Sequence, residues 1–215
     1  MKEKKKLIPA EFIAAAVIAA VIIAAAALAI RSDEKKRGRV DGTYSCEFPI
    51  NGSETKSITV FYKFDAKEGT YEELWGERSL MTGSYEAEND TVTLTSDGNE
   101  QLGAESETET FHILDNLLIP ENYIYEGALP SEQTFEAECT MKDIGGQQYA
   151  VRFEKDGSYS YTVKSASGEE NSRLTGTYVR DGDFLHRMNA DGAQMTDFYV
   201  YDGKLAGIFY TKEQG

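Results

Sequence analysis

Two patterns of hydrophobicity divide this chain. Residues 12–30 are nineteen consecutive apolar residues without a charge. As a helix they would extend roughly 28 Å, close to the ~30 Å hydrocarbon layer of a bilayer. Pro9 and Glu11 stand at the amino-terminal edge of the run, where a missing N–H costs little and an acid faces the positive end of the helix dipole. Beyond residue 56 the period changes to two: Ile58, Val60, Tyr62 and Phe64 alternate with Ser57, Thr59, Phe61 and Lys63, as in a half-buried strand. Similar runs follow at 70–75, 80–86, 91–95, 108–114, 149–154, 158–164, 174–180 and 197–201. Glu68-Gly69, Asp97-Gly98, Asp156-Gly157, Asp181-Gly182, Asp191-Gly192 and Asp202-Gly203 separate them. Short strands joined by Asp-Gly turns predict an antiparallel meander.

The meander is written twice. "TGSYEAENDTVTLTSDG" at 82–98 aligns with "TGTYVRDGDFLHRMNADG" at 175–192, at an offset of 93 that Cys46 and Cys139 share. "VFYKFDAKEGTYEEL" at 60–74 resembles "AVRFEKDGSYSYTV" at 150–163, and "TETFHILDNLLI" at 108–119 resembles "MTDFYVYDGKLAG" at 195–207. A duplicated unit predicts either two small tandem barrels or one larger barrel built from two halves. The expected organisation is a short cytoplasmic tail at 1–6, a membrane signal-anchor helix at 7–30, a basic juxtamembrane linker at 31–40, a first β repeat at 41–119, a linker at 120–133 and a second β repeat at 134–213.

The "KEGTY" and "KDGSY" turns, the "TGSY" and "TGTY" strands and the acidic hairpins resemble the lipocalin-like small β-barrel domains of bacterial cell-envelope proteins. The resemblance spans most of 41–213 and implies an up-and-down barrel carried on a membrane anchor. Gly42-Thr43-Tyr44 stands where lipocalins carry Gly-x-Trp. The expected fold class is thus an all-β antiparallel meander or barrel, lipocalin-like and in two repeats, preceded by one transmembrane helix.

Charge narrows the partners. The chain holds 22 Lys and Arg against 37 Asp and Glu; residues 41–215 hold 13 and 33, a formal charge of −20. No basic face is available for phosphate neutralisation, so nucleic acid is not an expected partner. The basic leader Lys2, Lys4, Lys5 and Lys6 and the first apolar segment address the body to the outer side of the cell membrane. The apolar run exceeds the roughly 7 to 15 residues usual in a cleavable leader, so the anchor is expected to be retained. Ala16, Ala20 and Ala24 recur at a four-residue spacing that permits self-association of the anchor; the alternative is a helix without a partner.

Candidate chemistry is sparse. Cys46 and Cys139 either join in a disulfide that closes a loop of about 90 residues, stabilising by about 4 kcal/mol, or remain free thiols in separate cores. Tyr71, Trp75, Tyr85, Tyr159, Tyr161 and Tyr178 either line a cavity for an apolar ligand or fill the interior. No metal set, cofactor motif or catalytic triad is legible. The expected role is non-enzymatic: binding an apolar small molecule, or a protein or wall partner, at the envelope. The alternatives are a structural spacer, and an accessory subunit or hydrolase-like enzyme whose acids meet at the barrel mouth. The last requires a pocket that brings together two or more of Glu72, Glu73, His112 and His186.

Overall fold

A computed structural model describes residues 40–49, 57–98, 105–143 and 145–214. The expected anchor at 7–30, with Ala16, Ala20 and Ala24, lies outside the described residues. No helix among the described residues is long and apolar enough to cross a membrane.

Where apolar positions alternate, the chain forms strands: β1 (Gly42–Pro49), β2 (Ser57–Asp65), β3 (Thr70–Trp75), β4 (Arg78–Glu88), β5 (Thr91–Ser96), β6 (Thr108–Leu114) and β7 (Leu117–Pro120). A single 3-10 turn (Glu121–Tyr123) leads into β8 (Ile124–Tyr125). Then come β9 (Ala137–Lys142), β10 (Gln148–Phe153), β11 (Ser158–Lys164), β12 (Glu170–Asp181), β13 (Phe184–Asn189), β14 (Gln194–Tyr201), β15 (Lys204–Ala206) and β16 (Tyr210–Lys212). All pairings are antiparallel.

Of the two expected architectures, the pairings give two barrels rather than one. The first is closed in the order β1-β16-β7-β6-β5-β4-β3-β2. The second is an eight-stranded sheet from β8 to β9. Its two edges are joined by one antiparallel bridge, in which Glu126 and Thr140 exchange backbone hydrogen bonds of 2.7 and 2.8 Å. Full closure leaves the first sheet without an edge, while the second is drawn together at that one bridge.

The barrels are not strictly consecutive along the chain. β16, which falls within the stretch expected as the second repeat, is inserted between β1 and β7 of the first barrel. The expected linker contributes β8, which pairs β15 of the second. The physical reason is closure: seven strands leave β1 and β7 with unpaired backbone groups, and the returning carboxy-terminal strand satisfies both.

Each barrel has its own aromatic core, and the cores match. In the first, Phe64 meets Tyr85 edge-on at 5.1 Å; in the second, Phe153 meets Tyr178 edge-on at 4.9 Å. Gly83 and Gly176 match as well. A Cβ at Gly83 would lie 2.1 Å from the carbonyl oxygen of Thr95, and one at Gly176 would lie 1.9 Å from that of Met188. Every position of β7 is buried, because Leu118 faces the first core while Leu117 and Ile119 pack with Tyr199 and Ala206 of the second barrel. Phe184, Tyr201 and Phe209 complete this apolar seam.

The register corrects the equivalence of the cysteines. Cys46 pairs with Val60, whereas Cys139 pairs with Val151, the counterpart of Tyr62. Cys139 therefore takes the place of Tyr44, and Met141 that of Cys46. Both cysteines are free thiols, one packed against the first core and the other within the second. Of the two alternatives the free thiols hold, because each cysteine belongs to its own barrel. Burial raises both thiols to about 11.

Candidate functional site

At the mouth of the first barrel the inward alternation of two strands brings acids where apolar residues would be expected. On β3 the inward series is Tyr71 then Glu73; on β6 it is Glu109, Phe111, Ile113. Tyr71, Glu73 and Glu109, with Tyr62, Met81, Glu107, Glu121 and Asn122 among other residues, line an open cavity of about 440 Å³.

Glu73 is only 7% exposed. Burial raises its carboxyl, while hydrogen bonds from Trp75 and Tyr62 pull in the opposite direction. The Trp75 indole Nε1 donates to Glu73 Oε1 at 2.8 Å. Burial also raises Glu109, to about 7, helped by the neighbouring charge of Glu73 and opposed by hydrogen bonds from Tyr62 and Asn122. The Tyr62 hydroxyl donates to Glu109 Oε2 at 3.4 Å. Burial, with Tyr210 and the two acids beside it, holds the Tyr62 hydroxyl far above the ordinary phenol range. Two carboxylates thus converge on one phenol that stays protonated.

Beneath them lies an aromatic floor. Tyr62 contacts Phe111 at 5.2 Å and Tyr210 at 5.0 Å, both edge-on. The site can do one thing well: it offers negative charge above aromatic rings, in a partly desolvated cup where a cation gains more than it would in water.

The sequence-derived candidates divide. Tyr71 lines this cavity, and Trp75, 47% exposed at the end of β3, reaches back to Glu73. Tyr85 and Tyr159 are core residues. Tyr178 is a buried clamp: its hydroxyl accepts from the Phe135 N–H at 2.9 Å and lies 3.2 Å from the Phe135 carbonyl oxygen. Tyr161 packs, partly exposed, against the second core.

Of Glu72, Glu73, His112 and His186, only Glu73 lines this cavity. Glu72 pairs with Lys63 in register and lies on the opposite face of β3 from Glu73. His112 faces outward to Tyr201, with ring centroids 4.9 Å apart. His186 holds Asp197 at 2.9 Å on the second barrel. No group of metal-ligating side chains occurs among the described residues.

Sequence reasoning passed over Glu109, Tyr62 and Asn122. The signal for the first was present: Glu109 shares the period-two face of Phe111 and Ile113, which makes it an acid on a core-facing stripe. Asn122 comes from the short turn after β7 and had no such signature.

A second cavity of about 630 Å³ shares Glu121 and Asn122 with the first and is bounded by Thr140, Lys142, Tyr149 and Lys164, among other residues. Its mixed lining of Glu126, Glu138, Lys142 and Lys164 presents no single charge.

No family model, curated protein or solved structure matches the chain.

Proposed function

We propose that this is a membrane-anchored binding protein whose barrels stand outside the cell membrane, and whose first barrel takes a small organic cation at its mouth. The observation that carries this reading is the pair Glu73 and Glu109, both drawn to the Tyr62 hydroxyl above an aromatic floor. A small ammonium-type group with an apolar stem fits the chemistry. The charge meets the acids, and the stem meets Tyr62, Tyr71 and Met81. The formal charge of −20 on residues 41–215 attracts such ligands over a distance and repels anions. The reading keeps the small-ligand role expected from sequence and changes the ligand from purely apolar to amphipathic. The lipocalin-like kinship belongs to the same proposal and is supported by the up-and-down strand order.

A hydrolase-like role is the second reading, favoured by the raised carboxyl of Glu109 beside a second acid. It requires two carboxyl groups flanking a scissile bond. Here both converge on a single hydroxyl, an arrangement that suits holding one positive charge.

The test is calorimetric titration of the full-length protein, in non-ionic micelles at pH 8 and low ionic strength, with n-butylammonium and with neutral N-butylurea. Saturable binding of the cation alone, weakened tenfold or more in Glu109→Gln, supports the reading. Equal heats for the two compounds, or no binding of either, refute it.

A further inference from the structure

The duplication lets one barrel be read against the other. The register places Tyr159 in the position of Tyr71, Tyr161 in that of Glu73 and Phe198 in that of Phe111, and a bulge in β14 leaves Met195, not an acid, in the place of Glu109. The same alignment places Arg187 in the position of Leu94. In the first barrel Leu94 is a buried core residue, 2% exposed, directly opposite Glu109 on the neighbouring strand.

Arg187 is therefore a charge at a core position, and it is only 7% exposed. Its guanidinium carbon lies 3.6 Å from the centre of the Phe198 ring and 5.8 Å from that of Tyr159. Its Nε donates to the Thr196 carbonyl oxygen at 2.7 Å, and its Nη2 donates to the same oxygen. A guanidinium thus sits in the second barrel against the counterparts of Phe111 and Tyr71, held by the backbone of Thr196 in the bulge of β14. The second barrel holds this group with the Thr196 carbonyl and two aromatic rings, and the nearby Asp197 and the hydroxyls of Tyr125, Tyr159 and Tyr161 favour its charge. The first barrel has the corresponding rings, two carboxylates and an open cavity, and lacks the arginine.

From this juxtaposition we propose that the ligand of the first barrel is a guanidinium compound, and that Arg187 fills in its own barrel the place a ligand takes in the first. The inference rests on the organic-cation reading above and narrows it. A planar guanidinium stacks on aromatic faces and donates two parallel hydrogen bonds to a carboxylate. A compact ammonium does not stack and meets a carboxylate as a point charge without the planar fork. The two acids and the Asn122 side chain offer several acceptors in one cavity, which suits the five donors of a guanidinium. Free and peptide-borne guanidinium groups share this chemistry, and a small monovalent probe reports on both.

The sole tryptophan, Trp75, bonds to Glu73 and so reads the site in the intact protein. Full-length protein in non-ionic micelles is titrated at pH 8 with n-butylguanidinium, n-butylammonium and N-butylurea, following Trp75 fluorescence. The expected result is saturation by n-butylguanidinium at least tenfold tighter than by n-butylammonium, and none by the urea. Equal or tighter binding of the ammonium overturns the guanidinium assignment and leaves the cation reading standing. No response to either cation overturns both. The companion variant is Leu94→Arg, which gives the first barrel the arginine of the second. It is expected to weaken n-butylguanidinium binding tenfold or more, because the installed side chain competes for Glu109. A folded Leu94→Arg protein that binds as tightly as wild type overturns the claimed equivalence. If that variant does not fold, the comparison of the three compounds on the wild-type chain still decides.

Discussion

Replacing Glu109 by Gln removes a charge that folding takes out of water, and the consequence can be worked through in both sign and size. The carboxyl rises from its ordinary 4.5 to about 7, chiefly through burial. At about 1.4 kcal/mol per pH unit, this corresponds to about 3 kcal/mol as an upper value. Because the folded form holds its proton more tightly than the unfolded form, the stabilisation from the neutral acid is fully present below pH 4.5. It is lost as the pH rises through about 7. Wild-type stability of the first barrel should therefore fall between pH 4.5 and pH 8, and Glu109→Gln should lose most of that dependence. Gln keeps an acceptor for Tyr62, so the low-pH stabilities of the two proteins should be similar. The assay is urea unfolding of full-length protein in micelles at half-unit pH steps, read by Trp75, which lies in the first barrel. Parallel pH profiles for wild type and Glu109→Gln would refute the claim that this carboxyl is desolvated.

Other consequences follow from the same coordinates. Affinity for an organic cation should rise as pH passes upward through about 7, where Glu109 ionises; an affinity that falls over that interval in calorimetry would contradict the site. Gly83→Val and Gly176→Val should each destabilise their own barrel by about 2 kcal/mol or more, since any Cβ meets a neighbouring carbonyl oxygen within 2.1 Å. Thermal unfolding of both variants at or above the wild-type temperature would show that the strands have room. Tyr210→Ala should cost the first barrel about 3 kcal/mol and shift the Trp75-monitored transition. An unchanged transition would mean that β16 does not complete that barrel. Cys46 and Cys139 should both alkylate after denaturation without reductant, adding two labels by intact mass, whereas a bridged chain would add none.

What was legible from sequence was the alternation and its repetition, because period two and Asp-Gly turns are local properties. Residues 70–75, 108–114 and 158–164 form strands at the bounds read from the pattern alone. The short strands were harder. β8 and β16 have two and three residues, too few for a period, and their places are set by the need to pair the edges of β15, β1 and β7. The equivalence of the two cysteines misled because equal spacing in sequence ignores insertions in the turns, and an offset of two residues keeps a side chain on the same face while moving it along the strand. The site itself was half legible. Tyr71, Glu73 and Trp75 share a face of β3 and were visible together, but Glu109 lay inside a Glu-rich stretch whose composition hid its register. Arg187 was passed over for the opposite reason: it is a single cation beside His186 in a short strand, and only the repeat alignment marks it as a charge in a core position.

The most direct measurement is hydrogen–deuterium exchange by mass spectrometry on the full-length protein, with and without saturating n-butylammonium at pH 8. The account predicts slower exchange in peptides covering 71–75 and 105–123, the walls and rim of the first barrel's mouth. Peptides covering 149–164 and 184–200 of the second barrel should be unchanged, because Arg187 occupies the corresponding space. Protection confined to the second barrel, or none in either, would contradict the assignment of the binding site to the first.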